Sequence, residues 1–415
     1  HPYPSMPSPL HDALPPAATS KPLPLAHRAV LIALTLGAAL LASTNHISGS
    51  DVAPDEMAAS PARIISATET ASPQFRQSWV NPRGHTTAAH SSAICVLPGG
   101  DLLSVWYGGT REGAADVAIF TARLRTGSPT WDSPRRVVDR GTAEAELGRS
   151  VKKVGNAVIF PDRSGLIWMV YVSVSMGGWS GSALNVKTSR DEGHTWTASE
   201  RLTLNPFLNV SSLVRNKPIL TGDGRIGLPV YHEFAWKFPQ MLWLTPGPGG
   251  TVLDYRIRNL STQAGLIQPT LVPLDDDRML MMLRDGNPER RLQTAYSDDN
   301  GWTWSNPQDC GLPNPDSAVD ALRLRDGRIL LVHNHAASGR ENLRLSVSSD
   351  DGRTWQPRAM IESTAKKEYS YPYLVEDQQG LIHLTYTWHR ERIKHLEFNL
   401  AWLNAPATLA ESLAQ

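Results

Sequence analysis

Ionisable side chains collect where the short apolar runs of this chain end. His90 stands before one run, and Arg111, Glu112 and Asp116 follow the next, in Tyr107-Gly-Gly-Thr-Arg-Glu-Gly-Ala-Ala-Asp116. Arg215 and Lys217 precede a later pair of runs, and His232 and Glu233 follow it. Gln268 and Arg284-Asp285 flank another; Asp316, Asp320, Asn334, His335 and Arg340 flank the next. Tyr369, Tyr371, His389 and Arg390 complete the series. Such residues bind polar ligands and move protons, although for any single member an exposed salt bridge is an equal reading. Other chemistries lack their residues. No Cys/His cluster has zinc spacing, no phosphate-binding Gly loop follows a strand, and no Gly-x-Ser-x-Gly elbow occurs. Neither a metal nor a cofactor is expected.

These groups need elements to bring them together, and the chain supplies a repeat. The pattern Ser-x-Asp-x-Gly-x-Thr-Trp (an Asp box) occurs at Ser189–Trp196, Ser297–Trp304 and Ser348–Trp355. Its Asp can bond its own backbone, its Gly can take positive φ, and its Trp can plug the adjacent strands. A second repeat is in phase with it. Turns that lead into apolar, β-rich runs occur at Gly100-Asp101, Ser164-Gly165, Asp223-Gly224, Asp276-Asp277, Asp326-Gly327 and Gln379-Gly380. Their interval of roughly 50–65 residues is close to that of propeller blades of four strands each. Six hairpins predict an all-β, six-bladed propeller, with a degenerate box at Gly127–Trp131 in the first blade. Propellers bind ligands at the central axis, so strand ends with ionisable residues in five of six blades exceed what surface decoration requires.

Composition narrows the partners. The formal net charge of the 415 residues is zero and no basic patch dominates, which excludes nucleic acid as a natural ligand. The 13 tryptophans suit blade plugs and sugar-stacking surfaces. Cys95 and Cys310 lie far apart in sequence, which favours two free thiols over a disulfide. Residues 1–28 are rich in Pro, Ala and Ser and read as a disordered extension. Arg28 then precedes the apolar run Ala29–Ala42, short for a membrane span and suited to the core of a signal peptide or signal anchor over 29–43. That segment implies export to the periplasm or beyond, with membrane anchoring as one form of it. Residues 44–77 read as a linker, 78–405 as the propeller, and 406–415 as a tail.

The Asp boxes, the six blades and the order of the polar groups resemble the sialidase (neuraminidase) superfamily over residues 78–405. Trp106-Tyr-Gly-Gly-Thr-Arg-Glu-Gly, Leu312-Pro-Asn-Pro-Asp-Ser, Tyr369-Ser-Tyr-Pro-Tyr and Ile382-His-Leu-Thr-Tyr-Thr-Trp look like its bacterial BNR-repeat, or predicted-neuraminidase, branch. The resemblance implies three arginines that grip a substrate carboxylate bidentately, a tyrosine nucleophile assisted by a glutamate, and an aspartate acid/base. It implies Tyr369 as nucleophile, Asp116 as acid/base, Arg284 and Arg340 as two triad arginines, and Arg111 as an accessory arginine. Two positions depart from the family pattern. His90 stands where the third arginine is expected, and Gln268 replaces the glutamate, which leaves Glu233 or Asp285 as the base for Tyr369. His90 can hold a carboxylate only when protonated, and its ordinary pKa is about 6.5.

The resemblance implies an exo-acting glycoside hydrolase on an acidic glycan, sialic acid or a related sugar. Two alternatives stay open. One is a lyase that uses Tyr369 and a histidine for β-elimination; the other is a carbohydrate-binding propeller without catalysis. On the leading reading His90, Arg284, Arg340 and Tyr369 meet at the axis.

Overall fold

A computed structural model describes residues 72–405, apart from 206–208, 235 and 276. The expected extension, the apolar segment 29–43, most of the linker and the tail lie outside the described residues. The architecture is the all-β, six-bladed propeller, with each blade an antiparallel sheet.

A short strand, β1 (Phe75–Trp79), opens the described chain. Blade one is β2 (Ala88–Val96), β3 (Leu102–Gly109), β4 (Ala118–Leu124) and β5 (Arg135–Val138), followed by α1 (Arg140–Leu147). Blade two is β6 (Lys153–Pro161), β7 (Ile167–Val174), β8 (Ser182–Ser189) and β9 (Glu200–Arg201). In blade three the inner strand is split into β10 (Leu213–Val214) and β11 (Ile219–Leu220), ahead of β12 (Ile226–His232), β13 (Phe238–Pro246) and β14 (Val252–Asn259). Blade four is β15 (Leu266–Pro273), β16 (Met279–Asp285), β17 (Arg291–Ser297) and β18 (Gln308–Pro313). Blade five is β19 (Asp320–Arg323), β20 (Ile329–His333), β21 (Asn342–Ser348) and β22 (Gln356–Ser363). Blade six takes β23 (Tyr369–Glu376), β24 (Ile382–Trp388) and β25 (Arg392–Phe398) from the C-terminal end, then α2 (Leu400–Asn404).

The fourth strand of blade six is β1, paired antiparallel with β25 from Phe75↔Phe398 to Trp79↔Lys394. The ring is thus closed by the first and last strands of the described residues, and the expected propeller start at 78 falls inside this strand. Phe75 stacks on Trp402 at 4.7 Å, so α2 covers the seam.

Each sheet packs between two others, so its second strand is covered on both faces; every residue of β3 and β7 is buried. The Asp boxes lie on the turns between third and fourth strands. In the third, Thr354 donates from its backbone N to Asp350 Oδ1 at 2.8 Å and from its hydroxyl to Oδ2 at 2.6 Å. Ser348 Oγ accepts from the Gly352 N–H at 2.8 Å. Gly352 has φ +85°, and a Cβ there would lie 2.6 Å from Leu280 of the preceding blade. The box therefore locks a turn and presses it on its neighbour. Cys95 and Cys310 are both free.

Candidate active site

All six blades share a backbone irregularity near the axis. A non-glycine residue with positive φ sits in or just before each innermost strand: Ser91, Asn156, Ser211, Gln268, Asp316 and Tyr371. At Ser91, Asn156, Gln268 and Tyr371 it coincides with a register shift in the pairing of the first two strands. A bulge breaks the in-out alternation of a strand and re-aims the side chain it carries. The left-handed conformation costs a non-glycine residue about 1–3 kcal/mol, so six together mark a region shaped for something other than stability.

Tyr371 (φ +54°) is the bulge residue of blade six. Its ring lies 4.6 Å from that of His90, and the guanidinium carbons of Arg215 and Arg340 lie 5.2 and 5.7 Å from its centroid. Arg284 completes the group. Burial opposes its charge, yet the Tyr371 phenol, Asp316 and Tyr231 outweigh that and raise its pKa above the ordinary arginine value. Blades three, four, five and six thus bring Arg215, Arg284, Arg340 and Tyr371 to one place.

The arginines are held by neighbours. Arg284 Nε donates to Asp316 Oδ1 at 2.7 Å and its Nη1 to Gln268 Oε1 at 3.1 Å. Gln268 in turn donates to the Tyr231 hydroxyl at 3.1 Å, as does Asn156 at 3.3 Å. Arg215, only 2% exposed, donates to the Pro372 carbonyl at 2.7 Å, while its Nε has no partner among the described residues. Arg340 donates to the Asp316 carbonyl at 2.8 Å and to Glu368 at 3.4 Å. Glu368 accepts from Arg390 at 2.6 Å, and Arg390 reaches Glu112 at 2.5 Å. Beneath them Lys217 and Asp320 form a 2.6 Å ion pair that also receives the Leu374 N–H, tying blades three, five and six.

Not every sequence-predicted residue joins this group. Tyr369 sits two residues earlier, and its phenol is buried between blades five and six. It bonds His389 Nε2 at 3.2 Å and lies beside Glu362 and Thr364, so the expected meeting of Tyr369 with Arg284 does not occur. Asp116 is exposed and accepts from the Thr110 N–H and hydroxyl, both at 2.9 Å, which closes its own loop. Asp285 likewise caps a turn through the Asn287 N–H at 2.8 Å, and so offers no base. Glu233 lies near Tyr231 rather than Tyr369; with burial and Tyr371 it pushes the Tyr231 phenol up.

His90 is at the axis but 3% exposed, and neither ring nitrogen has a hydrogen-bond partner among the described residues. Burial, then Arg390, Arg340 and Arg215, hold its pKa well below 6.5, so it is a neutral wall and not a third cation. Arg215, not His90, is the third charged group beside Tyr371.

Sequence reasoning assigned no role to Tyr371, Arg215 or Glu112, although each stands at a strand end. The axis group opens beside a cavity of about 560 Å³ bordered by His90, Tyr107, Arg111, Glu112, Lys153 and Trp179. Glu112 Oε2 lies 4.0 Å from His90 Nε2, which puts a carboxylate between cavity and axis. Among the described residues, no group of three or more His, Cys, Asp or Glu is arranged to hold a metal ion. None of the described helices is long and apolar enough to cross a membrane.

A six-bladed ring with arginines and a tyrosine converging on its axis defines a sialidase-type propeller. Residues 100–384 match the BNR repeat-like domain, and the chain belongs to that family within the sialidase superfamily. It is 22% identical over 344 residues to a sialidase of Bacteroides fragilis, covering 74% of this chain and 62% of that protein. The chain therefore spans less than two thirds of that relative's length. Among solved structures, the Hadza microbial sialidase Hz136 superposes with TM-score 0.65 at 16% identity, over 78% of this chain and 68% of the other. A protein of unknown function from Dyadobacter fermentans superposes with TM-score 0.62 at 14% identity, over 78% of this chain and 99% of the other. At these identities the structural likeness speaks for the fold.

Proposed function

We propose that this protein is an exo-acting, sialidase-type glycoside hydrolase that takes an acidic terminal sugar, such as sialic acid, at the propeller axis. One observation carries the reading: the bulge that turns Tyr371 into a group formed by Arg215, Arg284 and Arg340. The guanidiniums grip the sugar carboxylate, each charge-assisted contact contributing about 1.5–3 kcal/mol. That grip presents the anomeric carbon to the Tyr371 oxygen. A phenol approaches a carboxylate-flanked carbon with less repulsion than an aspartate meets.

The Tyr371 oxygen attacks, its phenol proton passing to water, as Glu112 gives a proton to the leaving oxygen, which forms an aryl glycoside and frees the aglycone. Water, losing its proton to Glu112, then attacks the anomeric carbon; the Tyr371 oxygen leaves and takes a proton back from solvent, with overall retention. Gln268 supplies no base. Instead the fixed positive charges stabilise the negative charge on the phenol oxygen as its proton is lost, and again when that oxygen leaves in the second step. Export remains part of this reading, on the strength of the apolar run Ala29–Ala42.

A second reading, binding without turnover, is favoured by Gln268 itself, since no carboxylate takes the place of the expected glutamate. A fluorogenic sialoside separates the two. Tyr371→Phe is expected to lose at least about a thousandfold in kcat, and Tyr369→Phe to stay within about tenfold of wild type. The reverse order overturns the assignment. Wild-type protein that binds free sialic acid but releases none moves the reading to a lectin, and a new ultraviolet-absorbing double bond moves it to a lyase.

A further inference from the structure

The cavity beside the axis carries charge that the proposed reaction does not use. Lys153 starts β6 and is 8% exposed, and its side chain makes no ion pair or hydrogen bond among the described residues. Its ammonium lies 4.0 Å from the centre of the Trp179 ring. Lys153 lines the cavity, so the charge is only partly withdrawn from water, and the cation–π contact offsets part of the cost of that withdrawal. Burial lowers its pKa, opposed by Glu112. Arg111 lies on the same wall, exposed and equally without an ion pair among the described residues. The carboxylate nearest them, Glu112, is engaged by Arg390 at 2.5 Å.

Trp179 is built into place. Its ring crosses the backbone of Gly155, where a Cβ would lie 2.5 Å from Cη2, and Tyr107 stands 6.4 Å from it. A flat aromatic face beside free cations is the pattern that stacks a sugar ring and holds an acid group on it. The wall is continuous with the axis, because His90 borders the cavity and touches Tyr371.

We propose that this cavity is the leaving-group subsite and that it selects an aglycone which is itself anionic: a sugar bearing a carboxylate or sulfate, stacked on Trp179 and paired with Lys153 and Arg111. The inference rests on the hydrolase reading for the cleaved bond, but not for the binding preference. The preferred substrate is then an acidic sugar linked to a second acidic residue.

The test uses the full chain and three sialosides: sialyl-α2,8-sialic acid, a sulfated sialyllactosamine, and neutral sialyllactose. Turnover and, independently, binding to Tyr371→Phe protein by calorimetry are measured for each. Wild type is expected to prefer a charged aglycone by at least about tenfold. The two charged arms report whether carboxylate or sulfate is the better fit. In Lys153→Met the ratio of charged to neutral kcat/KM is expected to fall at least about tenfold. Arg111→Gln, at an exposed position, gives the same direction if the lysine variant folds poorly. Equal use of charged and neutral aglycones, or an unchanged ratio in both variants, overturns the proposal. If no sialoside is hydrolysed, the function reading fails, and the calorimetric preference alone decides the subsite.

Discussion

Histidine 333 sets an acid limit on the fold that can be worked from its surroundings. It ends β20, is completely buried, and has one ring nitrogen 3.0 Å from Ser346 Oγ and the other without a partner among the described residues. Burial, then His335 and Arg344, push its pKa down to about 3. An unfolded histidine titrates near 6.5, so as pH falls the unfolded chain takes the proton first. Stability from this residue is complete above pH 6.5 and declines as pH drops towards 3. Integrated from pH 7.5 to 5.0, the loss is about 2 kcal/mol. His333→Gln can still bond Ser346 and does not titrate. Urea unfolding of both proteins at pH 7.5 and 5.0 gives a double difference in which all other groups cancel. The variant is expected to lose about 2 kcal/mol less than wild type across that interval. Equal losses would mean that His333 is not held neutral, and would refute the reasoning. His90 and His395 are depressed in the same direction and add to the wild-type decline without entering the difference.

Other perturbations read other parts of the molecule. Gly155→Ala places a methyl 2.5 Å from Trp179 Cη2, so the indole must swing off β6; tryptophan fluorescence is expected to shift and preference for charged aglycones to drop. An unshifted spectrum would contradict the packing. Asp350→Ala removes the bonds to Thr354 and Ser348 and is expected to lower unfolding stability by about 1–2 kcal/mol, with kcat retained. Thermal melts and rate measurements on the same preparation check both halves.

The frame of this molecule was legible because blade turns are local. An Asp box bonds within eight residues, and hairpins join neighbours in sequence, so Ser348–Trp355 announces its turn without knowledge of the rest. The closing strand was not legible. Phe75–Trp79 is too short to stand out, and its partner, β25, lies more than 300 residues further along the chain. At the site, Arg284 and Arg340 were legible from strand-end position, and both reach the axis. Tyr371 was missed because strand alternation assigns faces by a period of two, and a bulge at positive φ breaks that count. Nothing in Tyr369-Ser-Tyr-Pro-Tyr says which tyrosine the bulge will favour. Gln268 was read as a defect in a glutamate site; in the fold it links Arg284 to Tyr231, both through hydrogen bonds of 3.1 Å. His90 was read as able to hold a carboxylate only when protonated, and its burial, with Arg390, Arg340 and Arg215, opposes that protonation.

The pairing of β1 with β25 also fixes an order in time. Phe75 and Phe398 are register partners separated by 323 positions (398 − 75). At about 5–20 residues per second, a ribosome needs roughly 15–65 s to make the second after the first. For that interval β1 is a strand without its partner, and blade six cannot exist. The tyrosine that faces the axis belongs to that same last blade. Ring closure and completion of the group formed by Arg215, Arg284, Arg340 and Tyr371 are therefore one event, and a nascent chain short of its final strands has neither.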